Sequence, residues 1–282
     1  MNSRCLRSHL MSATWALSVR ELRRFFRQRS RIVGAVGQPV VFWIVFGAGL
    51  GASFDPPQWA DALEPPLSYQ EYFLPGIAVL IVLFTAIFAT ISIIEDRREG
   101  FLQGVLVAPA SRSAIVLGKV LGGSLLALIQ AGLFLCLGPL LAHVGLAPQI
   151  SISVSPVQAM IAAIFLAMVA IELTSIGFLI AWTMNSTQGF HAIMSVFLLP
   201  MWLLSGSFFP GGQSGWLSLI IRLNPLTYGV AGLRRLLYRQ TIPVGEALPS
   251  MTMCCLITLI TTLTVFIFCV LLVRRPSVQN TV

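Results

Sequence analysis

Apolar positions in this chain come in long unbroken runs, not in alternation. The runs cover 32–54, 73–94, 115–143, 156–182, 191–209 and 251–273. A helix needs roughly 20 residues to cross about 30 Å of hydrocarbon, so each run predicts one crossing. Runs without alternation favour helices over strands. Only helices or a closed barrel satisfy their own backbone in lipid. The pattern therefore predicts an all-α membrane protein with six transmembrane helices, a cytoplasmic N-terminal segment at 1–31, a membrane domain at 32–273 and a cytoplasmic tail at 274–282.

Ahead of the first run, Trp15, Val19, Leu22 and Phe26 recur at helical spacing, and Arg20, Arg24, Arg27 and Arg31 repeat it on the far side. This predicts an amphipathic interfacial helix lying on the cytoplasmic leaflet with its arginines toward water and anionic headgroups. Arg29 falls near the apolar stripe and weakens the pattern slightly. Arg23-Arg24-Phe25-Phe26 also resembles a twin-arginine export signal. Such signals precede a soluble passenger, however, and five more runs follow, so the first run reads as an uncleaved signal anchor.

Composition agrees with a membrane solvent. Charged residues make up 10% of the chain and hydrophobic residues 56%, where soluble domains carry about 25% charge. The net charge of +8 could suggest nucleic acid. Eight arginines precede the first run, so the charge reads as membrane topology and headgroup binding, with no nucleic-acid partner. The loop after the first run holds Asp55, Asp61, Glu64 and Glu71 without a base, which suits the outside. Arg222, Arg234, Arg235 and Arg239 then fall outside as well and oppose the bias. The five cysteines make no metal spacing and read as small buried hydrophobes.

The segment between the second and third runs, 92–119, gathers charge. Phe101, Leu102, Val105 and Leu106 share one helical face, Gly100 and Gly104 would let a neighbour approach closely, and Glu95, Glu99 and Arg98 precede them. Pro109 stops this short helix, Ser111 or Ser113 can cap the next one, and Lys119 can snorkel from its start. Such a helix held between two crossings can receive force from a docked partner, or can be a solvated loop with ordinary positive-inside arginines.

The order Glu99-Gly100-Phe101-Leu102, Val105-Leu106-Val107-Ala108-Pro109, Ser111-Arg112 and Leu117-Gly118-Lys119 resembles the signature of ABC-2 type permeases, the membrane subunits of ATP-driven exporters. Ala108 stands where the family usually has Ser, and Ala110 where it has Val. A second stretch agrees: Leu204-Ser205-Gly206-Ser207-Phe208-Phe209-Pro210, Trp216-Leu217, Asn224-Pro225-Leu226-Thr227-Tyr228 and Leu233-Arg234. The resemblance implies short re-entrant helices between spans five and six, involving Phe209, Pro210, Asn224, Pro225 and Tyr228. It also implies a coupling site for a separate ATPase subunit at Glu95, Arg98, Glu99, Gly100, Phe101, Leu102, Leu106, Pro109 and Arg112. The N-terminal helix, with Trp15, Arg20, Arg24 and Arg27, would help to clamp that ATPase.

The chain carries no Gly-x-x-x-x-Gly-Lys-Ser/Thr phosphate loop and no hydrolase motif. It is thus expected to be no enzyme, with ATP and magnesium bound by the partner subunit and a second permease copy, a homodimer, completing the transporter. The expected location is a bacterial cytoplasmic membrane, and the cargo an amphiphilic, glycan or drug-like molecule. Glu172 is the one acid inside a run, where a charge costs about 3 kcal/mol. It reads as a substrate-path residue or a buried polar site near Thr174 or Ser175. The alternative function is a proton-coupled secondary transporter using Glu172.

Overall fold

A computed structural model describes residues 3–56, 67–107, 111–143, 154–208, 215–238 and 248–274. Pro109, Phe209, Pro210 and Arg239 lie outside the described residues. The elements are α1 (Ser3–Arg27), α2 (Arg29–Leu50), a 3₁₀ turn (Gly51–Ser53), α3 (Tyr69–Arg98), α4 (Phe101–Val107), α5 (Arg112–His143), α6 (Pro156–Thr183), α7 (Thr187–Trp202), α8 (Gly215–Leu223), α9 (Pro225–Leu237) and α10 (Met251–Arg274). No strand occurs among the described residues. Helices α2, α3, α5, α6 and α10, and α7 together with the turn that extends it to Ser207, are long and apolar enough to cross a membrane.

Helix starts follow from local chemistry. Ser68 accepts from the Glu71 N–H while the Glu71 carboxylate accepts from Ser68, and Ser155 and Gln158 form the same box ahead of α6. Ser186 caps α7, and Ser111 accepts from the Ala114 N–H at 3.3 Å to start α5. Asn224 caps α9 with Pro225 in its first turn.

Helix α3 is the axis of the bundle. In its apolar window 89% of residues are buried, against 22% in α2 and α10, so the outer helices present most of their surface to lipid. Close approach around this axis depends on small residues. A Cβ on Gly177 of α6 would stand 2.7 Å from Thr90 Oγ1, and one on Gly123 of α5 would stand 2.8 Å from Thr174 Cγ2. The cysteines divide: Cys254 and Cys269 are buried as expected, whereas Cys136 is exposed on the outside of α5.

The end of the bundle where α3 begins is built around a break. After Trp202 the backbone widens into a π-helical turn, Leu203–Ser207, with Gly206 at φ 72°, a conformation that glycine adopts without strain. Freed carbonyls find donors: Tyr72 Oη donates to Gly206 O at 2.9 Å, and Tyr69 Oη to Phe208 O at 3.3 Å. Trp202 Nε1 donates to Gly76 O at 2.8 Å. Helix α9 packs among α3, α6 and α10, with Gly229 against Val169 midway along α6 and the Tyr238 hydroxyl on Glu71 O at 2.7 Å.

This packing explains two of the four arginines that opposed the charge bias. Arg234 is buried, lies 4.1 Å from the Tyr72 ring centroid, and donates to the carbonyls of Tyr72 and Gly206, both at 3.2 Å. Arg235 donates to Leu248 O and Pro249 O. Both guanidiniums are internal ties, so neither reports on topology. Arg234→Ala removes two charge-assisted bonds and a ring contact, and should lower stability by about 3 kcal/mol. Arg222→Ala, at an exposed position, should stay within about 0.5 kcal/mol. Thermal unfolding in detergent checks both.

Candidate functional site

The opposite end of the bundle, where α3 ends and α5 begins, holds the charged residues singled out in the sequence. Helix α1 does not lie flat with all its arginines in water. It packs lengthwise on the first part of α5: a Cβ on Gly118 would meet Leu17 Cβ at 2.6 Å, and one on Gly122 would meet Glu21 Cβ at 2.9 Å. Ser18 Oγ donates to Gly118 O at 3.0 Å. The face turned to the bundle carries Leu17, Ser18, Glu21 and Phe25, all buried, while Trp15 and Phe26 face outward at 71% and 51% exposure. The apolar stripe is thus the outer face, suited to lipid, and the docking face is a different set of residues.

Charge decides that face. Lys119 is 5% exposed and does not snorkel. Its ammonium donates to Glu21 Oε1 and to Asp96 Oδ2, both at 2.5 Å, and to Ser92 Oγ at 2.9 Å. Two carboxylates on neighbouring helices hold it inward, which a lone lysine near a helix start would not show. Arg20 reaches Asp96 through two bonds, at 2.6 and 3.0 Å, and Arg24 bonds Asp96 at 2.6 Å and Glu95 at 2.8 Å. Arg24 also stands 3.4 Å from Glu99 at the rim. Arg20, Arg24 and Lys119 thus balance Glu21, Asp96 and Glu95. Burial alone would lower the Arg20 pKa, but the hydrogen bond and charge of Asp96 outweigh it and hold it above the ordinary value.

Glu21, Asp96 and Lys119 carried no signal as a group, since 75 and 23 residues separate them in sequence. The pairing of Gly118 with Lys119 is the signal that was available. The glycine lets α1 touch α5, and the lysine one position on enters the carboxylates that α1 and α3 bring.

Helix α4 projects beside this cluster. Gly100 has φ 76° and closes α3, donating its N–H to Arg97 O at 3.3 Å. Nothing lies within 4 Å of a Cβ built on Gly100 or Gly104. The first glycine therefore serves a turn, and no described part of this chain closes on either, so a close approach at these positions would have to come from a partner. The apolar face is as read: Leu102 is buried with Leu17 and Ile115, and Val105, Leu106 and Trp182 pack against them. Phe101 is half-covered by Arg20, whose guanidinium carbon is 3.7 Å from the ring centroid. Gln103, Gly104 and Val107 form an exposed outer face. Arg98 bonds Asn185 O at 3.2 Å, Arg112 turns to the end of α10, and Arg27 is exposed.

Two other expectations fall away from this cluster. Glu172 of α6 is 2% exposed and lies beside Thr261 of α10, whose hydroxyl donates to Ile257 O at 2.9 Å and Thr258 O at 3.1 Å within its own helix. Thr174, two residues on and so on another face of α6, accepts from Ser124 Oγ of α5 at 3.3 Å, whereas Ser175 stays on the α10 side, where its carbonyl accepts from Cys269 Sγ at 3.2 Å. Asn224, Pro225 and Tyr228 gather at the opposite end, where Asn224 Nδ2 donates to Met201 O and Tyr228 Oη to Arg222 O.

Removing one partner of a buried pair strands the others. Lys119→Met should cost about 3–5 kcal/mol, and Glu99→Ala at the rim less than about 1 kcal/mol. Gly122→Leu should release α1 from α5 and open it to protease while the six long helices remain inserted. Detergent unfolding and limited proteolysis read these outcomes.

Comparison with known proteins agrees with this geometry. The chain is 29% identical over 220 residues to a putative transport permease, ycf38, of Cyanophora paradoxa, covering 76% of this chain and 71% of that one. It is 29% identical over 169 residues to a probable multidrug ABC transporter permease, YbhR, of Escherichia coli K12, covering 58% and 43%. It is 22% identical over 240 residues to the daunorubicin resistance ABC transporter permease protein DrrB1 of Streptomyces coeruleorubidus, covering 82% and 77%. The family model of the ABC-2 type transporter matches residues 12–238, a span that runs from α1 through the charged cluster and α4 to the end of α9, and the chain belongs to that family as a multi-pass transmembrane subunit of an ABC transporter.

Proposed function

We propose that this chain is the permease of an ATP-driven exporter in a bacterial cytoplasmic membrane, working as a homodimer with a separate ATPase subunit that binds ATP and magnesium. The α4 end of the bundle is cytoplasmic in this reading, as the arginines of 20–31 and 274–275 suggest. Helices α8 and α9 then dip from the outer face. The observation that carries the reading is α4 itself. It is a seven-residue helix fixed by its apolar side to α1, α5 and α6, with its other side exposed. A rigid stub of this kind fits a groove on a partner and passes that partner's motion to the crossings. Glu95, Arg98, Glu99, Phe101, Leu106 and Arg112 support or border it, and α1 lies beside it as a brace. The cargo is an amphiphile, in keeping with the multidrug and daunorubicin resistance named for two relatives.

An L-residue at the left-handed position of Gly100 costs roughly 1–2 kcal/mol, enough to weaken α4 docking about tenfold. Gly100→Ala and Glu99→Lys should lower cargo transport in proteoliposomes while ATPase activity persists. Unchanged transport would remove α4 from the mechanism. A thiol placed at Asp55 should react with an impermeant reagent from outside intact cells, and one at Gln188 only after permeabilisation. The reverse pattern would invert the topology.

A further inference from the structure

Two arginines flank α4, and each is bound to the last carbonyls of a different membrane helix. Arg97, in the final turn of α3, donates from Nη1 to Met184 O at 2.8 Å and Asn185 Oδ1 at 3.0 Å, and from Nη2 to Trp182 O at 2.6 Å. Its guanidinium carbon is 5.7 Å from the Trp182 ring centroid. These groups end α6. Arg112, the first residue of α5, donates from Nη1 to Val273 O at 3.1 Å and Arg274 O at 3.2 Å, which end α10. Arg274 returns a bond to Ser113 Oγ at 3.3 Å.

The chemistry suits a grip. The last carbonyls of a helix have no intrahelical donor and carry the negative end of its dipole. A planar guanidinium satisfies two or three of them at once, which a lysine head cannot reproduce in the same geometry. Packing adds to the first grip, since Trp182 touches the apolar side of α4 and stacks on Phe178 at 5.5 Å. The two gripped helices are also joined to each other. Helices α6 and α10 pack along their length, Cys269 Sγ donates to Ser175 O at 3.2 Å between them, and the buried Glu172 lies beside Thr261.

We propose that Arg97 and Arg112 are positioning residues that make α4, α6 and α10 move together. Displacement of α4 carries the end of α6 through Arg97 and the end of α10 through Arg112, and so shifts the seam that holds Glu172. This rests on the reading of α4 as the ATPase contact. It assigns Arg112 an inward task in place of contact with the ATPase, and gives Arg97 a task that the charge pattern alone did not suggest.

The test uses the transporter reconstituted with its ATPase subunit, the native cysteines replaced except Cys269, which is fully buried and part of the seam, and labelled chain diluted with unlabelled chain. Spin-label pairs join Gln103 on α4 to Thr183 on α6, to Leu271 on α10 and to Val33 on α2. On adding ATP with vanadate, the Gln103–Val33 distance should change while the other two hold. Arg97→Gln should free the first pair and Arg112→Gln the second, with transport per ATP falling at least about tenfold as charge-assisted bonds are lost. The glutamine variants should keep wild-type yield and nucleotide-free distances. Arg97→Lys and Arg112→Lys, which keep charge and one bond, should show the same changes at smaller amplitude and serve if the glutamine variants do not fold. The proposal is overturned if Gln103–Thr183 and Gln103–Leu271 shift in the wild type as much as Gln103–Val33. It is also overturned if the variants leave distances and coupling unchanged. Failure of the wild type to bind the ATPase or to respond to ATP would instead remove the reading of α4, and this inference with it.

Discussion

A lysine ammonium closed off from water between two carboxylates fixes how the N-terminal part of this protein meets the rest. Lys119 on α5 bonds Glu21 on α1 and Asp96 on α3, so three helices converge on one charge. Any one of these groups left alone in that position would cost several kcal/mol, so the helices are held in register as well as in contact. The two glycines of α5 make the arrangement possible, because the Cβ atoms they lack would overlap α1. Arg20 and Arg24 extend the pairing outward along α1, and Arg20 ends over Phe101 at the base of α4. The exposed stub is therefore continuous with the most strongly tied part of the molecule.

Arginine does different work at the two ends of the bundle. At the α4 end it pairs with carboxylates and grips helix ends. At the other end Arg234 and Arg235 hold carbonyls around the π-helical break and the start of α10. In both places the group bound is backbone or charge that lipid cannot solvate. A count of basic residues treats all of these as reporters of sidedness, and so the loop after α7 contradicted the rest of the chain. Once Arg234 and Arg235 are seen as internal, as Arg20 and Arg24 also are, the exposed arginines among the described residues in and just after α1 are Arg23, Arg27 and Arg29, against Arg222 near the other end.

How much was legible follows from the range over which each interaction acts. Six crossings and the short α4 were visible because hydrophobic periodicity is local, and of the face read as Phe101, Leu102, Val105 and Leu106 the last three pack inward while Phe101 stays partly exposed under Arg20. The docking face of α1 was not, because periodicity shows that two faces differ without saying which one meets protein. The Trp15–Phe26 stripe faces out, and Glu21 and Phe25 face in. Lys119 was misjudged for a related reason. Snorkelling is the expectation for a lysine with no partner, and its partners lie on segments far off in sequence. Gly100 and Gly104 looked like a contact face; backbone geometry at Gly100 adds a constraint that periodicity does not show, and within the described chain both positions stay open. For Glu172 the burial was foreseen but its neighbour Thr261, 89 residues away along the chain, was not.

Glu172 then takes a meaning from its neighbours that it lacks alone. A single buried carboxyl in a membrane bundle is compatible with a structural hydrogen bond or with transport chemistry. Here it sits on the seam between α6 and α10, the two helices whose ends Arg97 and Arg112 hold. Sliding of α6 against α10 would separate Cys269 Sγ from Ser175 O and carry the buried Glu172 carboxyl away from Thr261 toward apolar neighbours, in a medium that offers no substitute for a polar group. The seam therefore resists shear between its two helices and favours their movement as a pair. Force applied at α4 would reach the middle of the membrane through paired helices, with the polar contacts along the seam keeping their partners throughout.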